Sequence, residues 1–182
     1  MGKKVIILNG SPRRNGNTAG LVKAFTEGAQ SMGHEVTEFF LDGMDINGCK
    51  GCLGGKGKEE HPCTQRDDMD KIYPVMKEAE VVIFASPLYY WTLSGQLRTA
   101  IDRLFAIEEG GGGYLGGHGR SCALLMAAEG EGFANVTGYF DFLMEKLHWN
   151  NLGHVLAGGC TFVGDVEGKD ILNQARELGR NI

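Results

Sequence analysis

The run Val81-Val82-Ile83-Phe84-Ala85 is apolar at every position and breaks at Ser86-Pro87, and this constrains the fold more than any other feature of the chain. A strand with one wet face alternates polar and apolar residues. Five apolar residues in succession therefore read as a central parallel strand covered on both faces. Similar stretches occur at Val5-Ile6-Ile7-Leu8, from Ser121 to Ala128 and from Val155 to Val163, while Val36 to Leu41 is mixed in polarity and suits a sheet edge. Between them lie segments with helical spacing: Leu21, Val22, Phe25, Ala29 and Met32; Met69, Ile72, Met76 and Ala79; Leu93, Leu97, Ile101, Leu104 and Phe105; Phe133, Val136, Phe140, Leu143 and Leu147; and Ile171, Ala175 and Leu178. Asp67 and Asp68 are expected to cap the second of these and to favour its dipole. Strands alternating with helices predict an open, doubly wound α/β sheet with helices on both faces. With 182 residues and neither linker nor internal repeat, one domain over residues 1–182 is expected.

Charge and cysteine usage narrow the function. A net charge of -5 without a basic run argues against nucleic acid, whose phosphates call for a positive patch. No stretch of about eighteen apolar residues occurs and Met1-Gly2-Lys3-Lys4 leads straight into a strand, so no membrane partner and a cytoplasmic location are expected. Five cysteines, an odd number, fit a reducing compartment better than a disulfide scaffold. Cys122 and Cys160 lie in apolar runs and read as core residues, and the glycines of Gly51 to Gly57 and Gly110 to Gly119 mark two long loops.

In a doubly wound sheet the ligand sits beyond the carboxyl ends of the strands. Three exit loops there are chemically unusual: Asn9 to Thr18, Pro87 to Trp91, and Ala127 to Gly132. The first combines Gly10, Ser11, Pro12, Gly16, Asn17 and Thr18 ahead of a helix whose first N–H groups and positive dipole end point back into it. A phosphate monoester suits that loop. It has neither the Lys-Ser/Thr ending of a nucleotide-triphosphate P-loop nor the Gly-x-Gly-x-x-Gly spacing of a dinucleotide fold. The second loop is aromatic. Together they imply a phosphate with a flat ring some distance away, which is the shape of FMN.

The chain resembles the flavodoxin-like NAD(P)H-dependent FMN reductases, in particular the branch of iron-sulfur flavoproteins and multimeric flavodoxins. Gly10-Ser11-Pro12-Arg13 with Gly16-Asn17-Thr18, Ser86-Pro87-Leu88-Tyr89 with Ser94-Gly95, and Ile101-Asp102-Arg103 carry the resemblance. It implies a five-stranded parallel sheet in the order 2-1-3-4-5 and a homodimer or homotetramer in which a neighbour helps wall the flavin. It also implies that Ser11, Arg13, Asn17 and Thr18 hold the FMN phosphate through hydroxyl, amide and guanidinium donors. Pro87, Leu88, Tyr89, Tyr90 and Trp91 line the ribityl chain and ring, while Ala128, Glu129, Gly130 and Gly132 approach the ring with their backbone. Glu129 and Glu131 read as solvent-facing. Arg14 and Arg120 read as exposed, a contact with the 2′-phosphate of NADPH being the alternative.

The implied activity passes reducing equivalents from NAD(P)H through FMN to a small acceptor such as a quinone, free flavin, nitroaromatic or metal complex. The cofactor does the redox chemistry, so no catalytic side chain is demanded. An electron-carrier flavoprotein of the iron-sulfur type, exchanging electrons with ferredoxin-like partners, is the alternative. A flavin-binding sensor without turnover is a third reading.

The resembling iron-sulfur flavoproteins carry a compact run of four cysteines between the second strand and second helix, beginning Cys-x-x-Cys-x-x-Cys. Here the run is Cys49-Lys50-Gly51-Cys52-Leu53-Gly54-Gly55, so Gly55 stands at the third position and Cys63 is left as the fourth. Three thiolates do not complete a four-cysteine [4Fe-4S] site. His61 as a fourth ligand for zinc is an alternative, with irregular spacing. Cys49 and Cys52 as free thiols, or as an occasional Cys-x-x-Cys disulfide, without metal, are the favoured reading.

Overall fold

The computed structural model describes residues 2–55, 58, 60–108, 113, 115 and 119–182. Five parallel strands, β1 (Lys4–Asn9), β2 (Glu35–Phe40), β3 (Val81–Pro87), β4 (Ser121–Ala127) and β5 (Asn150–Ala157), form one sheet in the order β2-β1-β3-β4-β5. Helices α1 (Asn17–Ser31), α2 (Met69–Glu78), α3 (Gly95–Arg103), α4 (Ala134–Leu147) and α5 (Ile171–Arg180) connect or follow them. This is the flavodoxin-like order. Most of the expected Gly110 to Gly119 loop lies outside the described residues. No helix among the described residues is long and apolar enough to cross a membrane.

The period-two geometry of the strands divides the core between the faces. Val5, Ile7, Val81, Ile83, Ala85, Ala123 and Leu125 pack with α1 and α5. Ile6, Leu8, Val82, Phe84, Cys122, Leu124 and Met126 face α2, α3 and α4. Both faces of the central strands are dry, which is why those runs show no polar alternation. Cys122 and Cys160 are buried, as their apolar surroundings suggest.

Two expectations are corrected. The strand expected over Val155 to Val163 runs from Asn150 to Ala157. Gly158 and Gly159, the latter at φ +63°, turn the chain off the sheet, and Phe162 and Val163 end up 73% and 59% exposed. Arg120 is not at the surface but 4% exposed. Its guanidinium donates to the carbonyls of Ala79 (2.9 Å), Lys77 (2.8 Å) and Leu115 (3.2 Å), closing the carboxyl end of α2.

Helices α1 and α5 meet backbone to backbone, because both contribute glycine at the crossing. A Cβ on Gly28 would fall well inside van der Waals contact with the Arg176 carbonyl oxygen, and one on Gly179 would do the same with that of Phe25. Gly138 in α4 is exposed and has nothing within 4 Å of the same position. The identical substitution should therefore have opposite signs at the two sites. Gly28→Ala is expected to destabilise by about 1–3 kcal/mol through overpacking, and Gly138→Ala to stabilise by about 0.5–1 kcal/mol through helix propensity. Urea midpoints of the two variants check this.

Candidate active site

The sheet brings the three unusual exit loops to one edge. After β1 the chain turns at Gly10, whose N–H donates to the Ala85 carbonyl (2.8 Å), and Ser94 Oγ donates to the Gly10 carbonyl (2.7 Å). Ser94 caps α3 by accepting from the Leu97 N–H (3.3 Å), and its own N–H donates to Ser86 Oγ (2.8 Å). Both serines are fully buried, so they lock the first loop to the exit of β3. The sequence shows them as motif residues; the tie between them becomes visible only once β1 and β3 are neighbours.

The first loop is shaped by its own polar groups. Asn9 Oδ1 accepts from the Ser11 N–H (3.0 Å), and the Ser11 hydroxyl both accepts from the Arg13 N–H and donates to the Arg13 carbonyl, each at 3.2 Å. Gly16 is the N-cap of α1, with φ −82° and ψ 178°, no side-chain cap and no acidic residue in the first turn. The first intrahelical bond runs from the Gly20 N–H to the Gly16 carbonyl (3.1 Å). Helix geometry leaves the N–H groups of the preceding turn without intrahelical acceptors. Ser11, Asn17 and Thr18 are buried at this end, and Arg13 is exposed with no ion-pair partner among the described residues. The arrangement has the polarity of an anion site.

Asn17 lies at the loop, but its side chain is turned away from it. Nδ2 donates to the Phe162 carbonyl (2.8 Å), while Oδ1 accepts from the N–H groups of Gly164 (3.1 Å) and Val166 (3.2 Å). Arg14, expected in solvent, is exposed and stacks its guanidinium over the Phe40 ring, 4.3 Å from the centroid.

The second loop holds a tight reversal. Tyr89 and Thr92 exchange both backbone hydrogen bonds, and the two residues between them, Tyr90 and Trp91, have φ of +47° and +59°. These values belong to a two-residue turn that favours Asn-Gly, and bulky aromatic residues there carry strain that tends to mark functional sites. Tyr89, Tyr90 and Trp91 are 44%, 93% and 60% exposed, with Pro87 and Leu88 half-buried beneath them.

The third loop is laced to its neighbours. The Leu88 N–H donates to the Ala127 carbonyl (3.0 Å), Ala128 N–H to Ala157 (2.9 Å), Cys160 N–H to Ala128 (2.8 Å) and Gly159 N–H to Glu129 (2.9 Å). Ala128 is buried, and Glu129, Gly130, Glu131 and Gly132 are exposed. Trp91 lies against Gly132, where a Cβ would come within 3.1 Å of the indole. The Glu131 carboxylate covers Gly158 so closely that a Cβ there would collide with it. The residues expected from sequence thus assemble along one rim, apart from the Asn17 side chain.

Asp67 and Arg103 form a buried pair that sequence reasoning missed. Asp67 was expected as a helix cap and does accept from the Met69 N–H (3.1 Å), but its carboxylate chiefly meets the Arg103 guanidinium at 2.5 and 3.0 Å. Burial opposes its ionisation, yet Arg103 and the N–H groups of Asn47 and Met69 outweigh that and hold the carboxyl below the usual carboxylate range.

Comparison with known proteins identifies the family. The sequence model of a family described as NADPH-dependent FMN reductase matches residues 3–162. An iron-sulfur flavoprotein of Archaeoglobus fulgidus is 31% identical over 179 residues, covering 98% of this chain and 78% of that one. An iron-sulfur flavoprotein of Methanocaldococcus jannaschii is 40% identical over 100 residues, covering 55% of this chain and 51% of that one. The chain thus spans about half the length of the second relative. An NAD(P)H:quinone oxidoreductase from Methanothermobacter marburgensis superposes with a TM-score of 0.70 at 20% identity, over 100% of this chain and 97% of that one, which shows a common fold.

The cluster that the relatives' names imply does not fit the cysteine loop. A Cβ on Gly55, which stands at the third position of the motif, would collide with the Pro62 carbonyl, so the backbone leaves no space for a side chain there. Cys63 Sγ accepts from the buried Arg103 guanidinium (3.4 Å), and Cys52 Sγ is paired with Thr64 Oγ1 (3.3 Å). The Thr64 hydroxyl is the largest influence holding the exposed Cys52 thiol below its ordinary range. Among the described residues no three His, Cys, Asp or Glu side chains gather as a metal set.

Proposed function

The chain belongs to the NADPH-dependent FMN reductase family, with iron-sulfur flavoproteins among its relatives, and on that premise we propose that it carries reducing equivalents from a nicotinamide through FMN to a small conjugated acceptor. It is a flavin oxidoreductase with FMN as cofactor and NAD(P)H as reductant. The observation that carries the site assignment is the bare start of α1: a glycine N-cap with no side-chain cap and no acidic residue in the first turn, where helix geometry leaves the N–H groups without intrahelical acceptors. A phosphate dianion satisfies those donors and the positive end of the helix together.

In this reading the amides opening α1, the Thr18 hydroxyl and the Arg13 guanidinium hold the phosphate, while Ser11 shapes the loop around it. Pro87, Leu88, Tyr89, Tyr90 and Trp91 border the ribityl chain and ring on one side. Ala128, Glu129, Gly130 and Gly132 supply backbone on the other, where glycine permits close approach. Bound FMN supplies the hydride exchange with NAD(P)H. The chain's part is to orient the ring, keep water from one face and leave the other accessible. Three exposed aromatic side chains on one rim suit a flat acceptor such as a quinone, the substrate class named for the Methanothermobacter protein of like fold.

The 182 residues act as one FMN-binding domain in this reading, and the five free thiols support a cytoplasmic setting. A homodimer or homotetramer covering the exposed aromatic rim is part of the proposal. Anaerobic titration tests the redox assignment: NADPH or NADH is expected to bleach the bound flavin, and a quinone to restore its colour. Flavin that neither nicotinamide reduces but a ferredoxin system does would select the electron-carrier reading instead.

A further inference from the structure

Asn17 opens the helix assigned above to phosphate, yet its amide is spent on another part of the molecule. Three of its four hydrogen-bonding positions are filled by backbone groups of residues 162–166. Asn17 is 9% exposed, and its partners lie 145 to 149 residues along the chain. This is a long-range tie made by the first residue of α1.

The tied loop is itself closed on the same atom. The Phe162 carbonyl that accepts from Asn17 also accepts from the Asp165 N–H (3.2 Å), and Asp165 Oδ2 accepts from the Phe162 N–H (2.6 Å). Val166, next in sequence, is 2% exposed and presses on α1 so closely that a Cβ on Gly20 would come within 2.8 Å of its Cγ1. The first turn of α1 is therefore seated from behind by residues 162–166, and Asn17 is the polar fastening.

Resting on the functional reading above, we propose that Asn17 is a positioning residue: its side chain fastens the loop after β5 to the start of α1 and thereby aims the backbone N–H groups of that turn at the FMN phosphate. Asn17 offers the phosphate its main chain, and its side chain acts through the helix end. Asp165, which lies outside the phosphate loop, acts on the cofactor through the same fastening.

Binding of FMN and of riboflavin, which lacks the phosphate, to the apoprotein of the full chain separates the possibilities. Asn17→Ala is expected to weaken FMN about tenfold and Asp165→Ala about threefold, from the loss of a few hydrogen bonds. Riboflavin affinity should stay within about twofold of the parent in both. The double variant should be no weaker for FMN than Asn17→Ala alone, within about twofold, because both act through one element. Asn17→Ala weak with Asp165→Ala normal would overturn the proposal and make the side chain a direct phosphate ligand. Equal losses for FMN and riboflavin would overturn it in favour of general loosening of the fold, as would additive losses in the double variant. A parent chain that binds no FMN refutes the functional reading itself, and this is seen before any variant is made.

Discussion

Arg103→Met is expected to destabilise the protein by about 3–5 kcal/mol, the scale of leaving a buried charge without its partner. Arg103 is 1% exposed, and its guanidinium meets both oxygens of Asp67, whose side chain is equally enclosed. It also donates to the Asn47 carbonyl (2.7 Å), while the Tyr73 hydroxyl donates to the Arg103 carbonyl (3.1 Å). One side chain thus joins the carboxyl end of α3 to both ends of the segment between β2 and α2. Methionine fills similar space, so the loss comes from the stranded Asp67 carboxylate. Arg103→Met with Asp67→Leu should recover a large part of it.

The pH dependence follows from the sign of the Asp67 shift. In the parent protein its folded-state pKa lies below the unfolded value of about 3.9. The pair's contribution is therefore fully present above that value and is lost as pH falls through the folded pKa. In Arg103→Met, burial is no longer opposed by the guanidinium and the same carboxyl moves upward. The variant's stability should then fall as pH rises through that region, so the gap between the two proteins narrows in acid and widens toward neutrality. Urea unfolding between pH 4 and 7 reads this directly; a constant gap would show that the Asp67 carboxylate is not what the substitution strands.

That pair illustrates what the chain discloses and what it hides. The dry runs Val5 to Leu8 and Val81 to Ala85 announce central strands because burial on both faces removes any polar alternation. The three exit loops are legible because each puts glycine, proline or clustered aromatics where a strand ends. Asp67 and Arg103 are 36 positions apart, and nothing local distinguishes this carboxylate from its neighbour Asp68, whose carboxylate pairs instead with Lys71 on the surface. Asn17 is hidden for the same reason: an amide at a helix start reads as a local donor, and only the fold places residues 162–166 beside it. The carboxyl end of β5 is not legible because apolar residues resume after Gly158-Gly159, where the chain has already left the sheet. Tyr90-Trp91 runs against local preference, since the turn they form ordinarily selects residues without bulky side chains.

Gly16→Asp should move stability and cofactor affinity in opposite directions. Position 16 is an N-cap in extended backbone, a conformation that aspartate adopts readily, and α1 lacks both a side-chain cap and an acidic first turn. An aspartate there accepts from the N–H groups of the first turn and meets the positive end of the helix. A better N-cap of this kind is worth about 0.5–2 kcal/mol to the apoprotein. The new Cβ would stand 3.0 Å from the Arg13 Cβ and 3.4 Å from the Arg13 carbonyl oxygen, so the loop backbone must give by a few tenths of an ångström, which takes back part of that gain. The same carboxylate occupies the donors assigned to the phosphate and repels it. Losing two charge-assisted hydrogen bonds at about 1.5–3 kcal/mol each weakens FMN roughly a hundredfold or more. Riboflavin should be far less affected, since it presents no charge to the loop. The measurements are the thermal midpoint of the apoprotein and the dissociation constants of the two flavins. A variant that gains stability and still binds FMN as the parent does would place the phosphate somewhere other than the start of α1. On the proposed reading, a glycine at this N-cap forgoes helix stability and leaves the amides behind it open to the phosphate.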